Sequence, residues 1–279
     1  MSPKIDTHQH LLYPERLDYP WVAEVPPLQR AYPLEDYKVA AEGLGIAGTV
    51  FMEVDVSPAQ TLDEIEWVEG LSRDADSGIL GLIGKALPER EDFAERVEAM
   101  ARPLLKGVRR VLHTQPGDLS RGPRFRENLR RLGKLGLSFD LCVRADQLPI
   151  AAELVDACPG VSFVLDHCGV PDIAGGGFEA WSKNLEELAR RESVVCKISG
   201  LPAYCAAGET GPEVLRPWVE RTVECFDWER VLWGGDWPVC TLNGSLADWA
   251  GSLEVLLAEE SADNRKAFFE KNARRIYRL

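Results

Sequence analysis

The chain has 279 residues, 45% of them hydrophobic, which is enough to bury a sizeable core and too apolar for a disordered segment. Asp and Glu (45) outnumber Lys and Arg (32), so the net charge is −13, and with no basic run this argues against nucleic acid or anionic membrane surfaces as partners. Seven scattered cysteines without a C-x-x-C pair, no run of ~18 apolar residues, and no signal peptide ahead of the first strand predict a soluble, cytoplasmic protein with reduced thiols.

The first predicted strand is "KIDTHQH" (4–10). It carries two of the four histidines, His8 and His10, at i and i+2. On a strand these project from one face, about 7 Å apart along the chain. The segment 11–34, "LLYPERLDYPWVAEVPPLQRAYPL", is too proline-rich for a helix and predicts a long loop over whatever lies beyond that strand. Further short runs rich in β-branched residues follow at 48–54, 79–87, 105–112, 137–144, 161–168, 194–201 and 231–239.

Helical patterns separate them. "SPAQTLDEIEWVEGLSRDA" opens on Ser57-Pro58, an N-cap followed by proline at the first helical position. "REDFAERVEAMARPL" sets Phe93, Val97 and Met100 on one helix face. A helix opens at Asp146-Gln147 and closes at Pro159-Gly160. Eight mostly apolar strands alternating with helices imply parallel βαβ units and a single-domain (β/α)8 TIM barrel over residues 1–279. A doubly wound sheet fits less well, because no G-x-G-x-x-G follows the first strand.

A barrel of this kind carries its chemistry at the C-terminal ends of the strands. The polar residues there are His8 and His10, Glu53, Arg109, Arg110 and His113, Asp140 and Arg144, Asp166 and His167, Lys197 and Ser199, and Asp236. Each also has a structural role open to it. Glu53 fits an ion pair with a strand-end arginine, and Asp140 and Lys197 fit mutual neutralisation. Arg109 and Arg110 point to opposite sides of a strand, so at most one enters the barrel. The role of His113 stays open. Neutral imidazole is a favoured ligand for zinc-like ions, so His8, His10, His167 and Asp236 can surround one ion, or equally a substrate carbonyl.

The segments "IDTHQHLLYPERLDYPWV", "LLKGVRRVL", "LSFDLCV", "FVLDHCGVPDI", "CKISGL" and "LWGGDWPV" together resemble the amidohydrolase-2 branch of the amidohydrolase superfamily. Within it the chain is similar to sugar-acid lactonases of the fuconolactonase and rhamnonolactonase type, and to pyrone-dicarboxylate lactonase. The resemblance runs from residue 4 to about 240 and implies that His8, His10, His167 and Asp236 meet at the mouth, Asp236 activating water. Strands four and five lack the lysine or histidine that a two-metal site requires. Members of the branch differ in whether they need one divalent ion, zinc or manganese, or none. Gly235 stands where many relatives have serine, and "GVRR" ends in arginine where sugar lactonases often have histidine.

The resulting expectation is hydrolysis of a small-molecule lactone, with Arg109, Asp140, Lys197, Glu53, Trp21 and Trp237 contacting substrate. Trp237 fits equally a packing role beside Pro238. A homodimer through helix faces is compatible with the composition. Two rivals are a metal-dependent decarboxylase of aromatic or unsaturated acids, which needs a more apolar pocket, and a non-catalytic binding barrel, which needs no Asp236.

Overall fold

A computed structural model describes residues 3–279. Eight parallel strands run in sequence order: β1 (Lys4–Gln9), β2 (Ile46–Met52), β3 (Ile79–Lys85), β4 (Leu105–Val111), β5 (Ser138–Cys142), β6 (Ser162–Leu165), β7 (Val194–Ile198) and β8 (Val231–Trp233). The last strand returns to the first. The Asp236 N–H donates to the His8 carbonyl at 2.8 Å and the His10 N–H to the Trp237 carbonyl at 2.8 Å. These bonds close a TIM barrel.

Helices follow the strands in turn: α1 (Leu34–Ala40), α2 (Thr61–Ser72), α3 (Phe93–Met100), α4 (Pro123–Lys134), α5 (Leu148–Ala157), α6 (Phe178–Ala189), α7 (Pro212–Phe226) and α8 (Leu246–Leu256). As the sequence pattern predicts, Phe93, Val97 and Met100 form the buried face of α3. Among the described residues no helix is long and apolar enough to cross a membrane.

Two apolar clusters result. The larger joins the helices to the outer faces of the strands. The smaller fills the barrel with Val50, Met52, Ile83, Val164, Val195 and Leu232, and Tyr277 plugs it from the last helix, Asn272–Tyr277.

Two strands end earlier than their apolar runs suggest. β6 stops at Leu165 and β8 at Trp233, because His167, Cys168 and Asp236 adopt left-handed backbone at φ of 53°, 54° and 56°. Such dihedrals are uncommon outside glycine and cluster at functional sites. Here they break the ladder and turn His167 and Asp236 inward.

The segment 11–34 forms two 3₁₀ turns, Pro20–Glu24 and Pro26–Leu28, held by paired backbone bonds between Leu12 and Tyr32 at 2.9 and 3.0 Å. It covers the mouth and brings Trp21, Val25 and Leu28 to its cavity.

Candidate active site

His8 and His10 converge at the barrel mouth, their Nε2 atoms 3.2 Å apart. The Met52 carbonyl lies 2.9 Å from His10 Nδ1, and a carbonyl only accepts. His10 therefore carries its proton on Nδ1 and turns a bare Nε2 inward. His167 approaches from beyond β6, with its ring centroid 4.4 Å from that of His8 and its Nδ1 2.9 Å from Ser199 Oγ. Asp236 completes the group. Its Oδ1 is 3.6 Å from His8 Nε2 and 3.5 Å from His10 Nε2, and its Oδ2 is 3.9 Å from His167 Nδ1.

The approach of β7 depends on one glycine. At Gly200, φ +66°, a Cβ would stand 2.4 Å from Asp236 Oδ2 and 2.8 Å from His167 Nδ1. Gly235 serves a similar close approach. Its N–H donates to Asp6 Oδ1 at 2.7 Å, and a Cβ there would meet Asp6 Oδ2 at 2.4 Å.

Burial sets the protonation states. It pushes His10 down to about 4, with the Arg109 charge adding to the effect. It holds His8 well below the usual imidazole value, despite Asp166 nearby, and lowers His167 as well. All three rings are neutral near pH 7 and offer lone pairs. Burial raises Asp236 to about 6, opposed by His167 and Arg109. Its Oδ2 is buried with no hydrogen-bond partner. A buried carboxylate oxygen left unsatisfied is costly unless an ion, a water or a reacting group comes to it. Two donor sets fit one divalent ion, His8 with His10 and Asp236, and His8 with Asp166 and His167. Neutral nitrogens with carboxylate suit a zinc-like ion.

Beneath lies a layer of paired charge. Lys197 Nζ sits 2.9 Å from both Asp140 Oδ2 and Asp166 Oδ1, and 3.4 Å from His8 Nδ1. The Tyr277 hydroxyl donates to Asp140 Oδ2 at 2.7 Å. Arg109 donates through Nε to Glu53 Oε1 at 2.6 Å and through Nη2 to the Glu53 carbonyl at 2.7 Å. Burial works against charge on Arg109, but Glu53 and Asp166 together outweigh it and keep the guanidinium charged.

Above the histidines a cavity of about 340 Å³ opens, walled by Trp21, Val54, Arg109, His113, Cys142 and Tyr204. A profile of the amidohydrolase family, Amidohydro_2, matches residues 5–279. The chain belongs to the amidohydrolase-2 family. It is 29% identical over 290 residues to an L-fucono-1,5-lactonase of Burkholderia ambifaria, covering 100% of this chain and 97% of that one. It is 30% identical over 152 residues to a 2-pyrone-4,6-dicarboxylate hydrolase of Comamonas testosteroni, covering 50% of this chain and 47% of that one. Among solved structures, an amidohydrolase from Burkholderia multivorans with bound zinc superposes with a TM-score of 0.90 at 25% identity, covering 100% of both chains.

In this amidohydrolase, His10, His167 and Asp236 come together at the cavity floor with His8 buried against them, and Trp21 and Arg109 line its wall. Arg110 points outward to Glu89 at 2.8 Å. Direct substrate contact does not follow for four of the expected residues. Glu53, Asp140 and Lys197 are 0% exposed and committed to ion pairs below the cavity. Trp237 is wedged edge-on against Tyr32 and Tyr37, with centroids 5.4 and 5.5 Å away. No residue of 170–180 lines the cavity, and the Ala174 N–H in that segment donates to the carbonyl of Tyr204 at 3.1 Å. His113 does line the cavity, with its Nδ1 3.1 Å from Cys142 Sγ. Sequence reasoning missed Tyr204, which stands in a 3₁₀ turn past β7 where no periodic signal exists.

Proposed function

We propose that this amidohydrolase hydrolyses a sugar-acid lactone, with Asp236 as the general base. The observation that carries the reading is the unpartnered Oδ2 of Asp236, buried beside three neutral imidazoles under an open cavity. With a pKa raised to about 6, Asp236 is mostly ionised at pH 7 yet basic enough to take a proton from water. The water then attacks the ring carbonyl. As the carbonyl oxygen gains charge, the fixed cation Arg109 in the cavity wall stabilises it. Asp236, now carrying the proton, returns it to the ring oxygen as the acyl–oxygen bond breaks. A divalent ion such as zinc or manganese, held by His8, His10, His167 and Asp236, would supply Lewis acidity and lower the pKa of bound water.

Charge at the cavity favours a neutral lactone over a dicarboxylate. Arg109 is the one cationic side chain other than histidine in the wall, and Glu53 already neutralises it. Glu24 adds negative charge beside it, and Asp55 is itself paired with Lys85 at 2.6 Å. A dianionic pyrone or an aromatic acid awaiting decarboxylation would meet Glu24 and Asp236 and no free arginine or lysine. Trp21, its Nε1 anchored on the Val54 carbonyl at 2.8 Å, offers a flat face to a sugar ring.

The test is a hydrolysis screen of aldono-1,4- and 1,5-lactones beside a pyrone dicarboxylate, with metal content measured before and after chelation. The expected outcome is turnover of an aldonolactone that falls about 10²–10⁴-fold in Asp236→Asn. Turnover confined to the dicarboxylate, or decarboxylation without lactone opening, would overturn the proposal.

A further inference from the structure

The chain as a whole is strongly acidic, 45 carboxylates against 32 cations. One groove reverses that sign. It lies between α3 and α4 at the N-terminal ends of β4 and β5, the end of the barrel away from Asp236, and encloses about 750 Å³. Its floor is apolar, built from Val97, Leu105, Leu132 and Leu137, and Leu135 beside them is 62% exposed. Arg102, Lys106, Arg131, Lys134 and Arg278 stand around it with a single carboxylate, Glu98.

Two of these cations have partners, Arg102 with Glu69 at 3.4 Å and Arg131 with Glu127 at 2.6 Å. Among the described residues, Lys106, Lys134 and Arg278 form no salt bridge. Lys106 and Arg278 are nonetheless held together. Lys106 Nζ donates to the Arg278 carbonyl at 3.3 Å. The Arg278 guanidinium lies against the α4–β5 turn at Gly136, φ +68°, where a Cβ would stand 2.8 Å from its Nη1. Partial burial and the Arg278 charge both lower the Lys106 pKa, as expected for neighbouring cations without a counter-ion.

Gathering unpaired cations around an apolar floor costs free energy that an anion of the right shape returns. Inorganic phosphate would satisfy the rim and leave the floor wet. A neutral hydrocarbon would satisfy the floor and leave the cations repelling. The volume falls within the ordinary range for small-molecule sites, roughly 300–1,000 Å³. We propose that the groove binds a small organic anion with an apolar body, in chemical class an aromatic carboxylate or sulfonate, independently of the barrel mouth.

The test is a fluorescence titration of the full chain with 8-anilinonaphthalene-1-sulfonate, beside its uncharged counterpart N-phenyl-1-naphthylamine. The sulfonate is expected to bind about tenfold more tightly than the neutral probe, and more weakly as salt rises. Lys106→Glu with Lys134→Glu, or Lys134→Glu alone, should remove that preference, and the corresponding arginine variants should keep it. Lactone turnover should not change in any of them, so probe binding and the hydrolase reading stand or fall separately. Equal affinity for the two probes in the native chain, or a charge-reversed variant that binds the sulfonate as the native chain does, would overturn the proposal.

Discussion

Two layers of buried polar groups sit one above the other in this barrel, and they differ in how completely they are paired. The lower layer joins Asp140, Lys197 and Asp166 at 2.9 Å contacts and Glu53 to Arg109 at 2.6 Å. The upper layer, His8, His10, His167 and Asp236, holds bare nitrogens and an unpartnered carboxylate oxygen. Both are buried and both hold carboxylates. Pairing therefore separates a layer whose carboxylates are held by cations from one with an unpartnered oxygen, and Arg109, whose Nη1 takes no part in the Glu53 bonds, lies between the two and lines the cavity.

The largest effect that would break the comparison is at Asp236. Asp236→Asn should lower lactone turnover about 10²–10⁴-fold. It should leave the melting temperature unchanged or higher, because no hydrogen bond to Oδ2 is lost and burial already disfavours the charge. A strong loss of stability in a circular dichroism melt would make Asp236 structural and merge the two layers.

Lys197→Met is the converse. It strands Asp140 and Asp166, both 0% exposed, without their cation. Removing one partner of a buried pair costs about 3–5 kcal/mol, measurable by urea unfolding. Adding Asp140→Asn should recover part of the loss. A single variant as stable as the native chain would show that the lower layer is not bound by charge.

Much of this layering lies beyond what the sequence can express. The eight strands were legible because buried parallel strands are nearly continuous apolar runs. His8 and His10 were legible because the two-residue period puts them on one face. Depth was not. Asp140 and Lys197 share a face with Cys142 and Ser199, and one strand period separates a committed ion pair from the cavity wall or a His167 partner. The turns at His167 and Asp236 depend on left-handed backbone that no apolar pattern announces. Tyr277, which caps Asp140, arrives from 137 positions away, a contact set by tertiary packing alone.

A pH measurement tests the paired region from its edge. Glu64 on α2 accepts from the Val54 N–H at 3.0 Å, and burial, with Glu53 adding to it, raises its carboxyl to about 8. Because its folded pKa lies above the ordinary 4.5, the folded state holds a proton that the unfolded state releases. Its contribution is therefore complete below about pH 4.5, falls through about pH 8, and is flat above that. Glu64→Gln should flatten the decline in unfolding free energy between pH 5 and 8. An unchanged slope would mean that Glu64 folds as a carboxylate.

The smallest predicted effect belongs to the cavity wall, where His113 stands between the two kinds of group. Burial raises the Cys142 thiol, so the sulfur keeps its proton and can donate it to His113 Nδ1 3.1 Å away. Burial, helped by Arg109 and Arg144, lowers the His113 pKa, so the ring is neutral, and with the thiol donating to Nδ1 its own proton sits on Nε2. The wall then presents one oriented donor to a substrate hydroxyl. His113→Ala should lose a neutral hydrogen bond of about 1 kcal/mol, a rise in KM of about fivefold with kcat nearly unchanged. Cys142→Ala should act in the same direction and less strongly, since it frees the tautomer and leaves the ring. If kcat falls and KM holds, His113 acts in the transition state and belongs with Asp236 rather than with the wall.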